Sequence, residues 1–384
     1  ICLMGIDKEA LKLHKDKKGK IGIIPKVPLR SRHDLALAYT PGVAAVSRAI
    51  AANQESAREY TSKANQVAIV SDGTAVLGLG NVGPAAAIPV MEGKSAIFKR
   101  FAGIDAIPLC INTSSPEEIA TFCRQIQPGF AGINLEDIRA PECFKVLERL
   151  EQELDIPVFH DDQDGTAIVT LAGLINACRV TGRVMPELRV VVSGAGAAGI
   201  AISRLLLAQG VGDLVLLDSQ GVVKAGRSGM NRYKLDIARR SNRRQAYGPL
   251  GDAIQGADVF IGVSQPRVLT PAMVRSMNAE PIIFAMANPE PEILPEAAHK
   301  AGAALVGTGR SDFPNQINNA LVFPGIFRGL LDSGVREVTM QMKLKAAVSL
   351  AYSIKKPGIS KILPNITDKK AVKAIARSLG AAKI

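Results

Sequence analysis

The stretch 188–218, LRVVVSGAGAAGIAISRLLLAQGVGDLVLLD, restricts what this chain can fold into more than any other. Val190, Val191 and Val192 form an apolar, β-branched run that reads as a buried strand. Gly194, Ala195, Gly196, Ala197, Ala198 and Gly199 follow as a tight turn, then a helical stretch and a second apolar run, 214–217, that ends on Asp218. Small residues in such a turn let bare backbone approach a pyrophosphate, whose charge is favoured at a helix N-terminus. Asp218 falls about twenty residues past the last glycine, where a carboxylate can accept both ribose hydroxyls. The stretch therefore predicts a βαβ unit that binds a dinucleotide.

The bare glycine pattern is weaker than this context. Gly78, Gly80 and Gly83 also fit G-x-G-x-x-G, but no strand ending in an acid follows at the right distance. The preceding Ser71-Asp72-Gly73-Thr74 reads as a turn. That second copy is expected to be a backbone bend near a ligand rather than a phosphate cradle.

Strands alternating with helices occupy most of the chain. Short apolar strands are predicted at 66–70, 106–111, 132–135 and 156–159, with helices at 85–101, 116–127 and 141–150 between them. Further strands are predicted at 259–263, 281–285 and 303–306, and helices at 335–353 and 368–379. This alternation gives an α/β fold with a mainly parallel sheet in an N-terminal domain, 1–164, and a Rossmann-like dinucleotide-binding domain, 165–384, carrying C-terminal helices. At 384 residues the chain is long enough for two cores.

Composition narrows the class. No uninterrupted apolar run approaches the roughly 20 residues that span a bilayer, and charges begin at Asp7 and Lys8. The five cysteines are scattered without metal or disulfide spacing. A cytoplasmic protein without membrane partners is the expectation. The net charge of +12 sits in two places, residues 1–30 at net +5 and residues 221–244 at net +7. Both segments nearly lack aromatic residues that could stack on bases, so nucleic acid is not the expected partner.

Ligands of open parallel sheets sit outside the carboxyl ends of the strands. Glu136 and Asp137 follow one predicted strand, and His160, Asp161, Asp162, Gln163 and Asp164 follow the next. Acids that share a cleft cannot all ionise without a cation, and oxygen ligands favour Mg²⁺ or Mn²⁺ over zinc. Helix capping would explain the same residues without a metal. Lys94 lies in an apolar segment, where a lysine either snorkels to water or, if turned into the cleft, has its pKa lowered by burial and a nearby cation and becomes a plausible base. Tyr39 sits in a Tyr-Thr-Pro-Gly loop, and local sequence gives it no role beyond packing.

A set of longer strings adds to this. DLALAYTPGVA (34–44), VSDGTAVLGLGNVGP (70–84), MEGKSAIFKRFAGIDAIPL (91–109), INLEDI (133–138), FHDDQDGTA (159–167), SGAGAAG (193–199), ANPEPEI (287–293) and NNALVFPGIFRG (318–329) occur in this order. Together they resemble malic enzyme, the oxidative decarboxylase of malate, in its short bacterial form. The resemblance implies that Glu136, Asp137 and Asp162 hold the divalent cation, Lys94 is the general base, Tyr39 is the general acid and Asp161 orients the lysine. It places Asn288 and Asn319 against nicotinamide and substrate. Larger members carry an arginine, at the position of Ala75, that grips a malate carboxylate. Its absence here leaves that charge to another group, with the metal or Lys94 as candidates.

The resemblance implies conversion of malate, through oxaloacetate, to pyruvate and CO₂ with reduction of NAD or NADP, by a homodimer; the basic N-terminal segment is a candidate for its interface. Asp218 would repel a 2′-phosphate and favours NAD, while Lys224, Arg227 and Arg232 could neutralise such a phosphate. The rival readings are a metal-dependent oxaloacetate decarboxylase without redox turnover, a metal-free amino-acid dehydrogenase and a non-catalytic binding protein.

Overall fold

In the computed structural model, residues 2–380 are described, with side chains from residue 6 onward. Two sheets organise the chain. The first has the order β2-β1-β3-β4, with β1 at Gln66–Ser71, β2 at Asp105–Cys110, β3 at Gly132–Leu135 and β4 at Val158–His160. All its pairings are parallel. Pro108 lies in β2, the edge strand, where a missing N–H disturbs the ladder least. The second sheet has the order β10-β9-β8-β5-β6-β7, with β5 at Arg189–Ser193, β6 at Asp213–Asp218, β7 at Gly221–Val222, β8 at Val259–Gly262, β9 at Ile282–Ala285 and β10 at Leu305–Thr308. Only the short β6–β7 pair is antiparallel. The strand order reverses beside β5, which places the turn after β5 at the switch point of a dinucleotide fold.

Several elements differ from the sequence expectations in their ends. Pro157 delays β4 to Val158, so the strand closes on His160 and not on Phe159. The late helix begins at Met340, because Thr339 caps it by accepting from the Met342 N–H. The helix Arg232–Arg240 lies inside the basic segment, where charge hid its amphipathic period. Phe323–Ser333 is also helical. It follows the second sheet in sequence but packs on the first: Phe323 and Phe327 stack on Phe98 at 4.7 and 5.3 Å, and Phe327 meets Phe159 at 6.0 Å. One continuous apolar core therefore runs under both sheets.

The N-terminal segment is packed differently. Helices Arg32–Ala38 and Val43–Ala52 contain no buried residue. Taken as one stretch, Arg32–Ala52 is long and apolar enough to cross a membrane by length and composition alone. It is broken at Tyr39, however, and it carries Arg32, Asp34 and Arg48. Leu35, Leu37, Tyr39, Val43 and Val46 form a large exposed apolar face on it.

Candidate active site

The carboxyl ends of β3 and β4 bring three acids together. Glu136 and Asp137 leave β3 directly, and Asp162 lies in a π-helical turn, Asp161–Gly165, that links β4 to the helix Thr166–Thr181. Such turns insert an extra residue and are frequent at functional sites. One carboxylate oxygen from each of Glu136, Asp137 and Asp162 lies within 4.8 Å of the others. The Asp137 backbone N–H donates to Asp162 Oδ2 at 2.8 Å, which fixes the two strand ends in register. Asn134 Nδ2 donates to Glu136 Oε2 at 3.0 Å.

Electrostatics argues that these groups fit a hard dication. Burial and the neighbouring acids push the carboxyl groups of Glu136, Asp137 and Asp162 well above the usual range. Asp137 Oδ2 is buried without a hydrogen-bond partner. Three oxygens at this separation, one of them unpaired, make the donor set that Mg²⁺ or Mn²⁺ takes. Helix capping does not use them, because no side-chain cap bond forms at the start of Thr166–Thr181.

Lys94 enters from the helix Gly83–Ala102 and is 7 % exposed. Its ammonium lies 2.8 Å from Glu136 Oε2, pairs with Asp161 Oδ2 and stands 3.9 Å above the Phe323 ring. The lysine turns into the site and does not snorkel to water. Burial and a nearby cation together are expected to lower its pKa. Burial works in that direction, but Asp161 and Glu136 more than offset it and raise the value. Asp161 is fully buried and backs onto Gly165, where an added Cβ would lie 1.8 Å from Asp161 Oδ1. Only glycine fits against this carboxylate.

A cavity of about 650 Å³ opens beside Asp162 and runs to the turn after β5. Its walls include Asp162, Asn288, Asn319 and Gly196–Ala198, so one of the three acids, both asparagines and the dinucleotide turn face one space. The backbone there suits a pyrophosphate. A Cβ on Gly199 would lie 1.7 Å from the Gly194 carbonyl oxygen, which shows how closely the turn is folded on itself. A Cβ on Gly196 would meet nothing within 4 Å, and no side chain caps the helix Ala197–Gln209. Its first N–H groups are therefore available to an anion. The second glycine copy lines the same cavity at Gly78 and Gly80, as a bend beside the ligand space.

Glu136, Asp137, Lys94 and Asp161 are not among the residues that line this cavity, and neither are Tyr39 and Asp218. Tyr39 is 67 % exposed on the N-terminal segment. Asp218 ends β6 as predicted, but its carboxylate is already engaged: Arg227 forks onto both oxygens, Lys234 Nζ lies 2.6 Å from Oδ2, and the Gln220 N–H donates to Oδ1 at 3.0 Å. Burial would raise its pKa, yet these donors hold it down to about 2. It is therefore not a free acceptor for both ribose hydroxyls. Arg232 instead pairs with Glu148. Lys234 was missed in the sequence because only the helix Arg232–Arg240 turns it back toward β6. Arg139, also missed, lines the cavity two residues past Asp137.

Comparison with known proteins gives a consistent result. Residues 163–382 match a family model described as malic enzyme, NAD binding domain, and residues 18–120 match malic enzyme, N-terminal domain. The chain is 51 % identical over 382 residues to the bifunctional malic/malolactic enzyme of Bacillus subtilis, covering 99 % of this chain and 93 % of that protein. It is 49 % identical over 363 residues to the NAD-dependent malic enzyme of Geobacillus stearothermophilus, covering 94 % and 76 %. Matching relatives include NADP-dependent malic enzymes as well. The crystal structure of an NAD-dependent malic enzyme from Thermotoga maritima superposes with a TM-score of 0.94 at 47 % identity, covering 97 % of this chain and 99 % of that one.

Proposed function

Because this chain belongs to the malic enzyme family, whose reaction is the oxidative decarboxylation of malate with NAD or NADP, we propose that its cavity performs that reaction through the residues assembled there. Glu136, Asp137 and Asp162 hold a divalent cation, and the turn Gly194–Gly199 with Asn288 holds the dinucleotide. When bound, the cation polarises the C2 oxygen and stabilises negative charge on it, and the nicotinamide accepts the hydride from C2. The observation that carries the reading is the cluster of three carboxylates, within 4.8 Å of one another, from which Asp162 lines a cavity whose other wall is the dinucleotide turn.

Lys94 removes the proton of the C2 hydroxyl. The two carboxylates beside it favour the ammonium. Neutralising Glu136 with a bound cation leaves only Asp161 opposing the burial that favours the free amine. Asp161 thus positions the base while Glu136 links its proton affinity to metal occupancy. Asn319 lies against the turn that carries Asp161 and lines the cavity, where its amide can orient the substrate. Loss of CO₂ from the oxaloacetate formed requires a proton at C3 afterwards, and Tyr39 is the donor we assign.

Tyr39 reaches a site only from a second copy of the chain in this reading. It sits among exposed apolar residues, Leu35 and Leu37 included, which no described residue buries. Leu77 lines the cavity and is 68 % exposed, and Leu79 is 67 % exposed, a second apolar surface. A homodimer that seats one face on the other buries both and supplies the phenol that the cavity lacks.

The adenosine end of the site accepts both cofactors. Arg227 and Lys234 neutralise Asp218 and leave one positive charge in excess, so a 2′-phosphate is not repelled. The direct test is initial rates of absorbance at 340 nm with malate, either cofactor, and Mn²⁺ present or chelated. A metal-free amino-acid dehydrogenase would be indifferent to chelation, and an oxaloacetate decarboxylase would give no absorbance change. Either result refutes the proposal.

A further inference from the structure

The reading of the cavity as a malate site leaves one charge unassigned. Three carboxylates and one divalent cation retain a negative charge, and Lys94 and Asp161 cancel each other. A substrate that brings two more carboxylates needs a cation for the one remote from the metal. Position 75, which lines the cavity, is alanine and supplies no charge.

We propose that Arg139 holds this remote carboxylate. Among the residues lining the cavity, Arg139 is the one cationic side chain and Asp162 the one carboxylate. Two hydrogen bonds fix where it stands. The Ala75 N–H donates to the Asp137 carbonyl oxygen at 2.9 Å, and the Arg139 N–H donates to Thr74 Oγ1 at 3.0 Å. The turn 137–139 is thereby laced to the turn 74–75, so a side chain from 139 emerges beside the place a side chain from 75 would occupy.

The guanidinium is also available. Its side chain is 51 % exposed and makes one ion pair, Nε to Glu142 Oε2 at 3.5 Å. Among the described residues it donates no hydrogen bond, which leaves both terminal nitrogens for a bidentate carboxylate. Lys94 cannot serve here, since its ammonium is shared between Glu136 and Asp161. A half-exposed arginine also suits a carboxylate that must leave as neutral CO₂. A deeply buried ion pair would hold the group in its charged form and oppose the bond cleavage.

The contact exists before the carboxylate departs and contributes to substrate binding more than to the later steps. Replacing Arg139 by Gln should raise KM for malate about 10- to 100-fold, the worth of a charge-assisted hydrogen bond, with kcat changed only a few-fold. Arg139→Lys should recover part of the loss. Inhibition by oxalate, which is short enough to engage the metal alone, should be unchanged in R139Q, as should Mn²⁺ affinity and NADH binding followed by fluorescence. An unchanged KM for malate in R139Q overturns the assignment while leaving the functional reading intact. Parallel losses in oxalate, Mn²⁺ and malate binding also overturn it, by showing that Arg139 only braces the turn. Absence of malate oxidation by the unmodified enzyme would overturn the functional reading and this inference with it.

Discussion

The dimeric assignment of Tyr39 can be tested by complementation between two inactive chains. Tyr39→Phe removes the C3 proton donor and Lys94→Ala removes the base, each expected to cost on the order of 10²- to 10⁴-fold in malate turnover. If Tyr39 acts in the partner, a mixed dimer contains one site with both substitutions and one with neither. Random assembly makes about half the dimers mixed, and each has one working site of two, so co-expressed chains should recover about a quarter of wild-type activity. Two different affinity tags allow the mixed species to be isolated, where the expected recovery is about half. If Tyr39 served its own subunit, every site would lack one group and mixing would restore nothing. The face itself gives a second reading of the same arrangement. Leu37 is 64 % exposed in the single chain, and burying such a side chain contributes about 1.5–3 kcal/mol. Leu37→Glu should therefore weaken dimerisation by at least about tenfold and lower turnover in step with dissociation. Mixed dimers no more active than their parents, with both parents dimeric by light scattering, would refute the assignment.

Asp162→Asn should weaken Mn²⁺ binding, read by calorimetry, while NAD⁺ and NADH affinities stay within a few-fold; equal losses in both would mean that the acids brace the fold and do not hold an ion. Gly199→Ala forces a methyl group to within 1.7 Å of the Gly194 carbonyl oxygen, so dinucleotide binding should collapse while metal binding persists. Arg227→Gln and Lys234→Met should each cut kcat/KM for NADP at least about tenfold and leave NAD unchanged or improved, because Asp218 regains free lone pairs for the ribose; an unchanged NADP/NAD ratio would remove both cations from the cofactor site. The same cluster sets a pH dependence. The Asp218 carboxyl titrates lower in the folded chain, at about 2, than in the unfolded one, so its stabilisation is complete above the unfolded carboxylate range. That contribution is lost as pH falls toward 2, and Asp218→Asn should flatten the acid limb of the thermal-stability profile.

Much of this site was legible because its parts are continuous in sequence. Glu136 and Asp137 directly follow β3, and the turn Asp161–Gly165 directly follows β4, so reading only strand ends finds all three metal-type acids. The dinucleotide turn is legible for the same reason: strand, glycines, helix and acid are consecutive. Element ends were less legible, since Pro157 before β4 and the Thr339 cap of the late helix decide boundaries that apolar periodicity does not mark.

What the sequence did not reveal is pairing between charges from different elements. Lys94 and Asp161 are 67 residues apart, and only the packing of the helix Gly83–Ala102 against β1 and β2 brings them into contact. Read alone, a lysine in an apolar segment has its pKa pushed down. Placed between two carboxylates it has its pKa pushed up, and the sign of the effect depends on a contact that no local window contains. Asp218 makes the same point in the opposite direction. As an isolated acid at the end of β6 it argues for NAD, but Lys234, returned to it by a helix sixteen residues later, cancels that argument. Arg139 was readable as a letter and not as a site, because its value comes from the bond between the turns 74–75 and 137–139. In the proposed reading, cofactor choice and substrate grip thus rest on charged groups that tertiary packing places, whereas the metal is held by residues that strand ends position directly. Substitutions at Arg227, Lys234 or Arg139 are therefore expected to alter specificity while leaving the three acids in place.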